Sequence, residues 1–397
     1  MSAITWPPPY WRLWSASTAA NMGDGVRAAA FPLIAATFSR DPLVVGGLTV
    51  AAYLPWLTFG LVGGAVVDRV DRRRLSWTVN AVRTAALAAL VVGLASGTAN
   101  VAWLYAVAFV VGTGETLADN AVLTMLPTLV PTEQLDRANG RLVSAQVAGN
   151  EFVGPLLGSV LFSYALLLPV AVDGAALGVA TALLLSLPAM SGPAPAVGTR
   201  RSVRDSIVEG VKFVRRHRRL RAVVLIGAGL SMADAAWFSL LVLYSEEVLR
   251  LEPAAFGALL AVGALGGILG GVLAGRCIAR YGRAAAAASA LAATAAAQVA
   301  IAVTANVPLV AAMLAVTSGA FAIWHTVSAT ERHVVTPNEL LGRVNAAYRT
   351  AAIGVAPLGV VAGGLVARGF GLRAPLLIGV VPLLALAALA SRRLGDS

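Results

Sequence analysis

GLVGGAVVDRVDRRRL (60–75) places two aspartates and four arginines, Asp68, Arg69, Asp71, Arg72, Arg73 and Arg74, directly behind a glycine-rich apolar run. A weaker copy, GGVLAGRCIARYGR (270–283), returns about 210 residues later. A second pair of segments repeats as well: LPTLVPTEQLDRANGRL (126–142) matches RHVVTPNELLGRVNAAY (332–348), with Pro131, Glu133, Leu135, Arg137 and Asn139 answered by Pro337, Glu339, Leu341, Arg343 and Asn345. ANMGDG (20–25) is echoed by LSMADA (230–235), pairing Asp24 with Asp234. Repetition at this scale reads as a duplicated architecture.

The chain has 397 residues, 58% of them hydrophobic and 12% charged. Soluble domains carry roughly 25% charge, so most of this surface faces lipid. A crossing takes about 20 apolar residues, and twelve such spans are expected: 12–38, 43–67, 76–97, 101–130, 139–163, 166–188, 221–245, 254–279, 284–304, 308–331, 340–367 and 373–391. The organisation expected is a six-span bundle over 1–190, a polar linker over 191–220 and a second six-span bundle over 221–397. The linker segment RRSVRDSIVEGVKFVRRHRRLR (200–221) has Val203, Ile207, Val211 and Val214 on one helical face and basic residues on much of the rest. It reads as a basic amphipathic helix on the membrane surface.

A net charge of +11 would suggest a nucleic-acid partner in a soluble protein. Topology accounts for it without one. Arg69, Arg72, Arg73, Arg74, Arg137, Arg141, Arg276, Arg280, Arg283, Arg332, Arg343, Arg392, Arg393 and the 200–221 cluster fall on one side of the twelve spans, whereas Arg40, Arg250, Arg368 and Arg373 fall on the other. The positive-inside rule then puts both termini in the cytoplasm. The start lacks a basic n-region, so no cleavable signal is expected. The single cysteine, Cys277, excludes an internal disulfide. No nucleophile, metal cluster or phosphate loop stands out, so neither an enzyme nor a bound metal or cofactor is expected.

Two six-span halves, a basic linker and the loop at 64–73 resemble the major facilitator superfamily over nearly the whole chain. Its motif Gly-x-x-x-Asp-(Arg/Lys)-x-Gly-Arg-(Arg/Lys) is met by Gly64, Asp68, Arg69, Arg72 and Arg73, with Asp71 in place of the glycine. NMGDG (21–25), GTGETLADN (112–120) and LLGRVNAAYR (340–349) resemble the drug-exporter branch that includes macrolide efflux and siderophore export proteins. Gly154-Pro155-Leu156-Leu157-Gly158 is similar to the core of the exporters' antiporter motif, where proline kinks the helix and the glycines admit a neighbour.

The resemblance implies an all-α fold of twelve transmembrane helices in two pseudo-symmetric bundles, acting as a monomer in the inner membrane of a bacterium. It also implies a cytoplasmic gate formed by Gly64, Asp68, Arg69 and Arg72, with Asp68 meeting the N-terminus of span eleven. The arginine many exporters carry in span four is absent: Gly112 and Gly114 are present, but Ala108 stands at its position.

Ionisable residues inside a span cost at least about 2.5 kcal/mol and mark pathways or relays. Asp24 and Arg27 lie one turn apart and should pair. Glu115 and Asp119, four residues apart on one face, are poorly able to ionise together, which suits proton exchange. Glu151 has no cation within one turn and is expected to be desolvated. These three acids are the candidates for proton coupling, Glu115 foremost. Asp173 follows Pro169 near a span end, where a water-facing cap is an equal reading. Asp24, Arg27, Asp234, Trp237, Trp324 and His325 are the candidate cavity residues for an amphipathic small molecule. Against the exporter reading stand export of a siderophore, metabolite or lipid by the same machinery, and a non-transporting membrane sensor.

Overall fold

In the computed structural model, residues 6–59, 70–188 and 203–394 are described, and they are helical almost throughout, with no strand among them. Within hydrocarbon every backbone N–H and C=O must be bonded internally, so a chain this apolar and so free of alternation has the helix as its only open form. The first bundle's helices are α1 (Pro8–Phe38), α2 (Pro42–Phe59), α3 (Arg72–Ala95), α4 (Val101–Leu129), α5 (Leu135–Val147), α6 (Gly154–Tyr164) and α7 (Leu168–Leu185). They are followed by the linker helix α8 (Val203–Arg216), then α9 (Arg218–Phe238), α10 (Pro253–Val303), α11 (Val307–Val335), α12 (Asn338–Gly354), α13 (Ala356–Phe370) and α14 (Ala374–Arg393).

Local chemistry sets the ends. Asp71 caps α3 by accepting from the Arg74 amide at 2.8 Å, and Asn100 caps α4 by accepting from Ala102 at 3.0 Å and Trp103 at 3.2 Å. The 51-residue α10 turns at Gly282, whose φ of 77° suits glycine, so it supplies two crossings. This turn is the second copy of the motif loop, and the glycine that Asp71 replaces in the first copy is here present. α5 with α6 and α12 with α13 make one crossing each. The described helices thereby provide twelve spans, including the Ala-rich stretch from Ala284 to Ala297. Eight described segments, α10 counted once, are individually long and apolar enough to cross a membrane.

The chain divides into two compact units. Unit 1 is Met1–Phe38, Ala51–Gly198 and Glu252–Ala261; unit 2 is Ser39–Val50, Thr199–Leu251 and Val262–Ser397. Each unit therefore contains a short segment from the opposite half of the sequence, the first turns of α2 in unit 2 and the first turns of α10 in unit 1.

In unit 1, α1 meets α5 and α6 almost backbone to backbone. A Cβ added at Gly25 would lie 2.2 Å from the Gly149 carbonyl oxygen, and one at Gly158 would lie 2.2 Å from that of Val26. Between α5 and α6 the helix opens into a π turn, Ala148–Val153, closed by the Gly154 amide donating to Gly149 O. Pro155 follows, so the expected proline irregularity takes the form of a widened turn beside α1.

The linker helix is present over Val203–Arg216. It packs on α12: a Cβ at Gly210 would lie 2.4 Å from Arg343 O, Glu209 pairs with Arg343 at 2.6 Å, and Val214 is buried with Leu220, Val344 and Ala347.

The close approach gives a direct test. Gly25→Ala forces α1 from rigid backbone and should cost about 1–3 kcal/mol, lowering the melting temperature in detergent by several degrees. Gly178→Ala, with nothing within 4 Å of the added carbon, should leave it unchanged.

Candidate functional site

The packing of α1, α3, α4 and α7 in unit 1 converges five charged side chains. Asp24 on α1 accepts through Oδ1 from Arg27 Nη2 at 2.6 Å and from Arg83 Nη2 of α3 at short range. Arg27 Nη2 also donates to Glu115 Oε2 of α4 at 2.8 Å, and its Nε lies 3.6 Å from Asp173 Oδ2 of α7. Asn80 steadies Arg83, accepting from Nη1 at 3.1 Å. Three carboxylates thus surround two guanidiniums.

Two glycines make the space. A Cβ at Gly114 would stand 2.6 Å from Arg83 Cδ, and one at Gly23 would stand 2.5 Å from Asp173 Oδ1. The glycine-rich GDG and GTGE segments therefore serve charge placement as well as helix packing. The cluster is shielded: the Arg83 side chain is 1% exposed, whereas that of Glu115 is 23% exposed, the most open of the five. Asp119 lies one turn further along α4, half-buried, with no hydrogen bond or ion pair among the described residues.

The expected Asp24–Arg27 pair is present, but it is one edge of a larger network. Arg27, proposed above as a cavity contact, is enclosed and held by acids. Asp173 is fully buried and faces Arg27, so the water-facing reading is corrected. Glu151 lies on the π turn, with its side chain on the surface of the helical bundle.

Trp237 and Trp324 are 4% and 1% exposed and are buried within unit 2. With the Gln298 amide oriented to satisfy both partners, it accepts from Trp237 Nε1 at 3.2 Å and donates to Leu376 O at 3.3 Å. Asp234 is half-buried, and His325 is exposed, its ring 4.6 Å from that of Phe321.

Of the gate residues, Gly64, Asp68 and Arg69 lie outside the described residues. Arg72 donates from Nη1 to Thr124 O at 2.9 Å, tying the start of α3 to the end of α4. The second copy has a counterpart that the sequence reading missed: Arg283 Nε stands 2.7 Å from Oε1 of Glu331, which is fully buried on α11. The available signal was the alignment of Arg283 with Arg72.

A multi-pass helical membrane protein with a buried charge network in one bundle belongs among the transporters rather than the enzymes. Residues 13–352 match the Major Facilitator Superfamily, and the chain belongs to that family. It is 28% identical over 391 residues to the multidrug efflux pump Tap of Mycolicibacterium fortuitum, covering 94% of this chain and 93% of that one. It is 23% identical over 225 residues to macrolide efflux protein A of Streptococcus pyogenes, covering 56% of this chain and 55% of that one. The crystal structure of a point mutant of the nucleoside transporter NupG superposes with a TM-score of 0.81 at 11% identity, over 98% of this chain and 100% of that one, a likeness of fold alone.

The network predicts its own energetics. Removing one member of a buried ion pair costs about 3–5 kcal/mol, because the partner stays charged and unpaired. Asp24→Asn should therefore melt far below the wild type, and adding Arg83→Met should recover part of the loss. Thermal denaturation of the three variants in detergent reads this coupling.

Proposed function

We propose that the protein exports an amphipathic small molecule or drug in exchange for protons, by rocking of the two six-span bundles (1–190 and 221–397) about a midplane site. On this reading it works as a monomer in a bacterial inner membrane with both termini in the cytoplasm. The observation that carries the proposal is the unequal charge count inside unit 1. Arginine stays charged under all relevant conditions, so with every acid ionised the five-residue network bears one excess negative charge. One proton makes it neutral.

Glu115 is the member best placed to exchange that proton, because it is the most exposed. Asp119, one turn away and without an ion-pair partner among the described residues, extends the path. When Glu115 gains a proton, Arg27 loses one of its anionic partners and leans on Asp24 and Asp173. Local protonation becomes a change in the packing force between α1 and α4. The arginine missing at position 108 is not needed for this scheme, since α1 and α3 supply two guanidiniums to the same region. The efflux relatives support the direction of transport.

For a neutral cargo, one proton returning through about 100 mV releases roughly 2.3 kcal/mol, equivalent to about a 50-fold substrate gradient, whereas a monovalent cation exchanged for one proton cancels the potential term and is driven by the pH gradient alone. An anionic cargo such as a siderophore fits less well, because Arg27 and Arg83 are already committed to carboxylates.

Proteoliposomes with an imposed pH gradient test the proposal with cationic, neutral and anionic probes. The gradient should drive accumulation of an amphipathic cation or neutral compound, and movement of none of them would refute antiport. Glu115→Gln should reduce the accumulation ratio towards unity while equilibrium binding of the same probe persists. Normal coupling in that variant would move the role to Glu151 or Asp24.

A further inference from the structure

The three acids of the network are not equivalent. Asp24 accepts two hydrogen bonds and Glu115 accepts one, whereas both oxygens of Asp173 are sealed from solvent without a hydrogen bond. Its nearest cationic atom, Arg27 Nε, is likewise buried without a hydrogen bond and stands 3.6 Å away. A carboxylate and a guanidinium N–H enclosed together in a low-dielectric interior attract strongly enough to close such a gap. A neutral carboxyl is under no such pull.

We infer that Asp173 holds the network's odd proton in this conformation, so that Asp24 and Glu115 balance Arg27 and Arg83. The inference rests on the antiport reading for its role and assigns the proton's resting place within it. Every charged group facing Asp173 is in the count: Asp24 and Arg27 from α1, Arg83 from α3 and Glu115 from α4. The Gly23 notch fits the same picture, since it admits the carboxyl of Asp173 directly against the α1 backbone.

Arg27 connects the deep acid to the open one. Its Nη2 bonds Glu115 while its Nε faces Asp173, so a shift of the guanidinium towards Asp173 would favour that group's ionisation as it weakens the hold on Glu115. The proton moves from Asp173 to Glu115, one O–H bond breaking and one forming, and the count of two anions against two cations is preserved. Glu115 is then the exchange port and Asp173 the store.

Infrared spectroscopy of the purified protein, together with thermal melting, tests the assignment independently of transport. At neutral pH the wild type should show the C=O stretch of a protonated carboxylic acid. A component of that band should shift when the aspartate carboxyls alone carry carbon-13, which separates it from Glu115, and it should vanish in Asp173→Asn. Because the amide resembles a neutral carboxyl, Asp173→Asn should melt within about 2 °C of the wild type, in contrast to Asp24→Asn.

A band absent from the wild type, unchanged in Asp173→Asn or unmoved by aspartate labelling would overturn the inference. So would an Asp173→Asn protein as unstable as Asp24→Asn, which would mark Asp173 as an ionised partner of Arg27. Loss of the band in Asp173→Asn, in a protein that shows no proton-driven transport, would support the assignment while refuting antiport.

Discussion

Asp24 is the constraint on which unit 1 turns. Its carboxylate bridges guanidiniums from two helices, Arg27 on its own and Arg83 on α3, and every other charge in the cluster is placed by those two arginines. Such a centre is expensive in a membrane, because each charge removed from water costs several kcal/mol before its partners return any of it. Low dielectric makes the same contacts strong and sensitive to composition, so a single added proton redistributes the forces among α1, α4 and α7. On the antiport proposal the network combines structural and chemical roles that are usually separate.

Its position depends on backbone packing. Gly25 and Gly158 let α1 lie directly against α5 and α6, while Gly23 and Gly114 leave room for Asp173 and for the stem of Arg83. The GDG triplet thus serves two neighbours at once, the flanking glycines packing while the aspartate between them bonds. The π turn before Pro155 belongs to the same contact, since the Gly149 carbonyl that closes it is the atom nearest the missing Cβ of Gly25. Helix irregularity and charge placement are two results of one close approach.

This division explains what could be read from sequence. Apolar spans, the duplication and the family motif are local or periodic signals, and they gave the helical membrane fold directly. Asp24 with Arg27 was legible because the two share a helix face. Arg83 and Asp173 were not, since they are 59 and 149 residues from Asp24 in sequence and only tertiary packing of α3 and α7 brings them together. Trp237 and Trp324 were ambiguous for a related reason: an aromatic residue on a membrane helix suits both a cavity wall and a packed interior, and only its neighbours decide.

The duplication sharpens the functional argument, because the second half has lost this chemistry position by position. Met22 and Asp24 align with Met232 and Asp234, so Arg27 aligns with Trp237, a buried residue bonded to the Gln298 amide. Arg72 aligns with Arg283, so Arg83 aligns with Thr294, which donates to Ala290 O at 3.0 Å on its own helix. Through the repeated 126–142 segment, Glu115 aligns with Phe321. Asp234 alone keeps its charge, without the arginines that would hold it. A purely structural ion network would have little reason to survive in one copy and be replaced in the other by aromatic and amide packing, which stabilises a bundle at no desolvation cost. Retention on one side argues that the charges of unit 1 are kept for what they do during transport, while unit 2 supplies a packed, nearly neutral counterpart.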